Sequence, residues 1–176
     1  AMVAREDRRF FQHAGVDPTG VLRAFVQTYV SKGDTQGGST LTQQYVKNML
    51  IDQATNSDDP IDAYHAQEDT IARKIREMLL AVQLEKTYSK AEILQGYLNI
   101  AQFGSGVYGV ETASRHYFNK SAKDLTLGEA ATIASITKNP QAYDPTLHPE
   151  ESQKQRDIVL DLMQQAGYAS ANDVKA

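Results

Sequence analysis

Three groups of residues carry the chemistry open to this chain. Glu6 and Asp7 stand in the run Arg5-Glu6-Asp7-Arg8-Arg9-Phe10-Phe11, with His13 just beyond. A carboxylate set against apolar surface is desolvated, which raises its pKa and suits it to general acid or base work near neutrality. The same run also reads as a salt-bridged helix end. The second group is Arg73, Lys74 and Glu77. At about 100° per residue, Arg73 lies about 40° and Lys74 about 60° from Glu77 around a helix, opposite a stripe through Ile75. As a surface ion pair such a triplet contributes a few tenths of a kcal/mol. As a site, it offers two cations that hold a phosphate leaving group beside a carboxylate that orients them or a metal. The third group is Gly37-Gly38-Ser39-Thr40 at a helix start, with Lys47 two turns in. It gathers backbone N–H groups, hydroxyls and the positive end of a helix dipole, which suits an anion, although an ordinary N-cap has the same residues.

Other chemistries are excluded or unsupported. No Gly-Lys-Ser/Thr follows the glycines, so nucleoside triphosphate chemistry has no Walker loop, and no Gly-x-Ser-x-Gly elbow supports a serine hydrolase. His13, His65, His116 and His148 lack metal-ligand spacing and read as polar or packing residues. The absence of Cys removes disulfides, thiolate metal sites and cysteine nucleophiles. Eighteen Lys and Arg against 22 Asp and Glu leave a net charge of −4, so no nucleic-acid partner is expected. The 176 residues, 41% of them apolar, are read as a single domain spanning 1–176. No apolar run approaches the roughly 18 residues of a spanning helix, so a membrane anchor would lie outside this segment.

The elements that must position these residues have the 3.6-residue period of an all-α domain. Asp17 and Pro18 open a helix with a stripe of Val21, Leu22, Phe25, Val26 and Tyr29 that stops near Gly33. Thr40 with Gln43 makes a capping box for a helix through Leu50. Between Asp52 and Asp69 there are six acids and no Lys or Arg, with Pro60 inside, which reads as a mobile surface excursion. A long helix ending near Lys86 carries Ile71, Ile75, Met78, Leu79 and Val82 on its apolar side. Ser89 with Glu92, and Thr126 with Glu129, cap two further helices, the second closed by Asn139 and Pro140. The glycine-punctuated run Phe103 to Gly109 reads as loop, and a last helix runs from Pro149 to Gln165.

In this order the motifs resemble the peptidoglycan glycosyltransferases, the transglycosylase domain of class A penicillin-binding proteins and of monofunctional glycosyltransferases. They are Glu6-Asp7-Arg8-Arg9-Phe10-Phe11-Gln12-His13-Ala14-Gly15-Val16-Asp17, Gly37-Gly38-Ser39-Thr40-Leu41-Thr42-Gln43-Gln44, Lys47-Asn48, Arg73-Lys74-Ile75-Arg76-Glu77, Tyr97-Leu98-Asn99, Phe103 to Val110, and Lys138-Asn139-Pro140. The resemblance implies an all-α fold with a lysozyme-like large lobe and a smaller jaw lobe against the membrane. The activity it implies is inverting polymerisation of lipid II into β-1,4-linked strands with release of undecaprenyl pyrophosphate. Glu6 is then the general base toward the acceptor 4-hydroxyl. Asp7, Ser39, Thr40, Gln44, Lys47, Arg73 and Lys74 bind substrate, and Glu77 is a second catalytic-site carboxylate that positions cations directly or through Mg²⁺ or Mn²⁺. No organic cofactor is implied.

The partners it implies are lipid II, the growing glycan strand and the membrane surface, with a fused transpeptidase domain in the parent protein. The implied location is the outer face of the cytoplasmic membrane, held by a transmembrane helix outside this segment. Asp69 and Thr28 depart from the family, which commonly has Arg and Asn there. A lysozyme-like hydrolase or lytic transglycosylase would need an acid for a sugar leaving group and has no use for a cation clamp. The other rival is a non-catalytic lipid II-binding module. The glycosyltransferase reading requires Glu6 to face the cations across a groove.

Overall fold

The computed structural model describes residues 1–22, 38–57, 68 and 70–175. Its helices are α1 (Met2–Glu6), α2 (Leu41–Thr55), α3 (Ile71–Thr87), α4 (Lys90–Ile100), α5 (Val110–Phe118), α6 (Leu127–Ile136), α7 (Pro149–Gln165) and α8 (Ala171–Lys175). Residues 18–22 are helical as well, and strands β1 (Gln102–Gly104) and β2 (Val107–Tyr108) form a hairpin. The fold is all-α, as the apolar period predicts. The chain divides into two compact units, Ala1–Arg8 with Leu98–Ala176, and Arg9–Tyr97. The expectations at Phe25, Val26, Thr28, Tyr29, Gly33, Gly37, Pro60 and Asp69 lie outside the described residues.

Within Arg9–Tyr97 the helix starts are set locally. Asp17 Oδ1 accepts the Thr19 N–H at 3.1 Å and the Asp17 carbonyl accepts the Val21 N–H at 3.0 Å, the N-cap geometry that Asp-Pro predicts. Thr40 Oγ1 accepts the Gln43 N–H at 3.1 Å while Gln43 Oε1 accepts the Thr40 N–H at 2.8 Å, completing the capping box. The helix it opens runs on to Thr55, so Asp52 belongs to α2 and not to the excursion. Thr40 Oγ1 also donates to the Gly15 carbonyl at 2.6 Å. Gly15 has φ +86°, and a Cβ there would stand 2.6 Å from the carbonyl carbon of Ala81. Only glycine lets this loop lie on the backbone of α3. Thr42 donates to Glu85, Lys90 Nζ pairs with Glu85 at 2.7 Å, and the same ammonium sits 4.5 Å above the buried Phe10 ring. These contacts bind α2, α3 and the start of α4 to the segment after Arg9.

The apolar side of α3 is turned outward. Ile71, Ile75 and Leu79 of that side are 81%, 52% and 68% exposed, whereas Glu77 and Ala81 are buried. Periodicity shows that a helix has two unlike sides, but which side meets protein depends on what the neighbours offer. Here they offer Gly15, against which only a small residue fits, and two cations for a carboxylate.

In the other unit, α1 packs against α6 and α7 through Met2, Val3 and Ala4, and the buried set continues with Ala131, Ile133, Ala134, Ile136, Val159, Leu160 and Met163. Arg5 donates to Gln155 Oε1 at 3.0 Å across the same junction. The run read as loop from Phe103 to Gly109 contains the hairpin, with Gln102 opposite Tyr108 and Gly104 opposite Val107. Phe103 and Val107 are buried in it, and the positive φ of Gly106 supplies its turn. Tyr117 Oη lies 2.9 Å from the Phe103 carbonyl and 3.3 Å from Asp144 Oδ2, tying the hairpin to the stretch after α6.

Candidate active site

In the unit Arg9–Tyr97 the structure brings together Ser39, Arg73, Lys74 and Glu77. Positions 73, 74 and 77 share one side of α3, as their spacing predicts, and that side is turned inward. Glu77 is 1% exposed, and both of its carboxylate oxygens are held by cations. Arg73 Nη1 donates to Oε1 and Lys74 Nζ donates to Oε2 at 3.1 Å. Arg73 also donates through Nε to the Glu68 carbonyl, so much of its guanidinium is committed to positioning. Lys74 is the more exposed cation, its side chain 39% accessible. It spends one further N–H on Ser39 Oγ at 2.6 Å, a contact across 35 positions of sequence. Since Ser39 accepts there, its own hydroxyl hydrogen and the third ammonium hydrogen of Lys74 remain for a ligand among the described residues.

Two cations against one carboxylate leave the cluster with a single positive charge, next to the capped start of α2. Burying an ion pair of this kind adds little to stability compared with apolar packing. Thr40, Gln44 and Lys47 lie within about 60° of one another around α2, on one side of it. Thr40 is buried in its capping and Gly15 bonds, and Lys47 is exposed. Gln44 Oε1 accepts from the Tyr97 hydroxyl at 3.1 Å, a positioning contact that residue-by-residue reading of the chain misses; the signal for it is Tyr97-Leu98-Asn99 among the motifs. Among the described residues no three His, Asp or Glu are grouped to hold a metal ion. Among the described residues the partners of the Glu77 carboxylate are the side-chain cations Arg73 and Lys74.

Glu6 and Asp7 belong to the other unit, at the end of α1. Asp7 is buried at 7% exposure, and Glu6 is half-buried with Oε1 3.1 Å from the hydroxyl of Thr137, the residue after α6. Thr137 has no forewarning in the sequence beyond its place next to Lys138-Asn139-Pro140. His13 lies 3.4 Å from Lys90 Nζ and edge-on to Phe10, the packing role expected of it.

Comparison with known proteins identifies the family. The Transglycosylase family matches residues 1–164. The chain is 41% identical to penicillin-binding protein 1F of Bacillus subtilis (strain 168) over 173 residues, 98% of this chain and 22% of that protein. It is 42% identical to penicillin-binding protein 1A of Aquifex aeolicus (strain VF5) over 168 residues, 96% of this chain and 21% of that one. With penicillin-binding protein 1A of Mycobacterium tuberculosis (strain ATCC 25618 / H37Rv) the identity is 39% over 173 residues, 98% of this chain and 20% of that one. The chain thus spans about a fifth of the length of the curated relatives it matches. An all-α fold, a buried carboxylate held between two cations at a helix start, and a match over nearly its whole length place this chain in the transglycosylase family, as a peptidoglycan glycosyltransferase domain.

Proposed function

We propose that the chain polymerises lipid II by a single inverting displacement that releases undecaprenyl pyrophosphate. The observation that carries the reading is the Ser39–Lys74–Glu77–Arg73 cluster, a cationic site with two hydrogen-bond donors left over beside a helix start. A sugar that bears pyrophosphate departs without a strong acid, but the negative charge that develops on the leaving oxygen needs cations already in place. Lys74, Lys47 and Ser39 serve that oxygen, and Arg73 with Glu77 keeps Lys74 aimed. Glu6 takes the proton from the acceptor 4-hydroxyl as that oxygen bonds to the donor's anomeric carbon and the bond to pyrophosphate breaks. Asp7, Thr40 and Gln44 complete the substrate contacts. Mg²⁺ or Mn²⁺ enters this reading only in company with the substrate's phosphates, which is how such ions are commonly bound.

The acceptor side and the lipid follow from the same substrate. The growing strand is the second substrate, and a lipid-tailed donor places the protein on the outer face of the cytoplasmic membrane. The exposed side chains Ile71, Ile75 and Leu79 on α3 support a membrane-facing surface. A transpeptidase domain in the same protein is consistent with the length of the relatives.

The test is lipid II polymerisation by the protein and by Glu6→Gln. The variant removes the base while keeping the side chain's shape, so strand formation should be lost and donor binding retained. Full activity in Glu6→Gln would end the assignment of Glu6, and cleavage of polymeric glycan without polymerisation of lipid II would replace the reading with a hydrolytic one.

A further inference from the structure

We infer that Tyr97 is a positioning residue for Gln44, turning its amide so that Nε2 donates a hydrogen bond to a diphosphate oxygen of the donor substrate. The inference rests on the reading of Gln44 as a substrate contact. Tyr97 is 2% exposed and, with Ile93 one turn before it, makes the buried side of α4. A phenol so placed needs a partner for its hydroxyl. It has one on α2, where it donates to Gln44 Oε1 at 3.1 Å. The adjacent residues meet as well, since a Cβ on Gly96 would stand 2.6 Å from Tyr45 Cζ. Two consecutive residues of α4 thus meet two consecutive residues of α2, all within the unit Arg9–Tyr97.

A primary amide has an acceptor oxygen at one edge and a nitrogen with two donor hydrogens at the other. With Oε1 held by the buried phenol, the donating edge is the one turned from Tyr97, and Gln44 itself is only half-buried. Gln44 and Tyr97 each have a further interaction besides this bond. The tyrosine therefore sets the direction of the amide, and its loss loosens Gln44 without freeing it. Gln44 follows Thr40 by one turn and precedes Lys47 by about one, on the side of α2 that continues from Ser39 and its partner Lys74. A leaving diphosphate steadied by those cations presents acceptor oxygens to the same side. There a neutral N–H adds direction to what the ammonium groups supply as charge.

Gln44→Glu keeps the shape and still accepts from Tyr97, but it puts a charged acceptor where the amide donates. It should raise KM for lipid II about 30-fold or more, whereas an amide that offers its oxygen to the substrate would tolerate the change. Tyr97→Phe keeps the buried ring and removes only the hydroxyl. It should raise KM about fivefold with kcat nearly unchanged, because the contact is made alike in ground and transition states. In a Gln44→Ala background the same change should leave KM where Gln44→Ala puts it, whereas a purely structural role would multiply the two effects. A wild-type KM in Gln44→Glu or in a folded Tyr97→Phe overturns the inference, and so do effects that multiply. Should Tyr97→Phe not fold, a crystal structure of the unaltered protein with lipid II decides, and a Gln44 amide turned away from Tyr97 or from the diphosphate overturns the inference. A raised KM in Gln44→Ala beside a wild-type KM in Gln44→Glu removes this inference alone. A wild-type KM in Gln44→Ala removes Gln44 from the substrate site and the inference with it.

Discussion

On the proposed function, Lys74 is the side chain on which the donor chemistry turns, because it touches both Ser39 and Glu77. Lys74→Ala should weaken donor binding and slow departure together, roughly 100-fold in kcat/KM if one charge-assisted contact to the leaving oxygen is lost. Lipid II titration and initial rates would check it, and unchanged values would place the clamp elsewhere. The identities of these residues were legible because cations and a carboxylate at spacings of three and four must share a helix side. The Lys74–Ser39 contact was not, since nothing local couples positions 35 apart. A second pair in the other unit contributes stability that depends on pH. Burial raises the Asp144 pKa, but Thr146, Tyr117 and the Leu147 N–H outweigh it and hold the carboxyl below its ordinary value. Burial, then the neighbouring Asp144 charge, pushes the Tyr117 phenol up to about 12. The carboxyl's contribution is therefore present above its ordinary range and lost in acid, as pH falls through the lowered value. The phenol's contribution is present below its ordinary value of 10.0 and lost as pH rises toward 12. Urea unfolding across pH should show both limbs, and Tyr117→Phe should remove the alkaline one.

At the scale of elements, the starts of α2, α6 and α7 and the ends of α6 and α7 were legible because capping boxes, first-turn proline and Asn-Pro stops are local codes. The orientation of α3 was not legible, because its exposed side is the more apolar one and its inward side is chosen by Gly15 and by ion pairing. The hairpin went unread for a related reason, since strands of three and two residues are too short to show an alternation. Gly15 gives the sharpest prediction here. Gly15→Ala places a methyl 2.6 Å from the backbone of Ala81 at a φ of +86°, and should destabilise the protein by about 3 kcal/mol or more. Thermal unfolding checks it. Gly106→Ala, which meets no neighbour within 4 Å but has φ +75°, should cost about 1 kcal/mol.

At the scale of the molecule, the proposed function together with the acidic net charge predicts that the membrane is met by apolar contact. Replacing both Ile75 and Leu79 with Asp should reduce co-sedimentation with phospholipid vesicles several-fold while leaving thermal stability nearly unchanged, because both side chains already face solvent. Undiminished sedimentation would move the lipid-facing surface elsewhere. That Glu77 and Lys74 lie across α3 from Ile75 and Leu79 also fixes a height. A helix lying in the plane of the bilayer surface is about 10 Å across with its side chains. On the proposed function, its outward rim would rest among acyl chains while its inward rim would hold the diphosphate at the level of the phospholipid head groups. A polyprenyl tail would then stay dissolved in the leaflet throughout, so that each proposed round of elongation would move sugars and never have to lift a lipid out of its solvent.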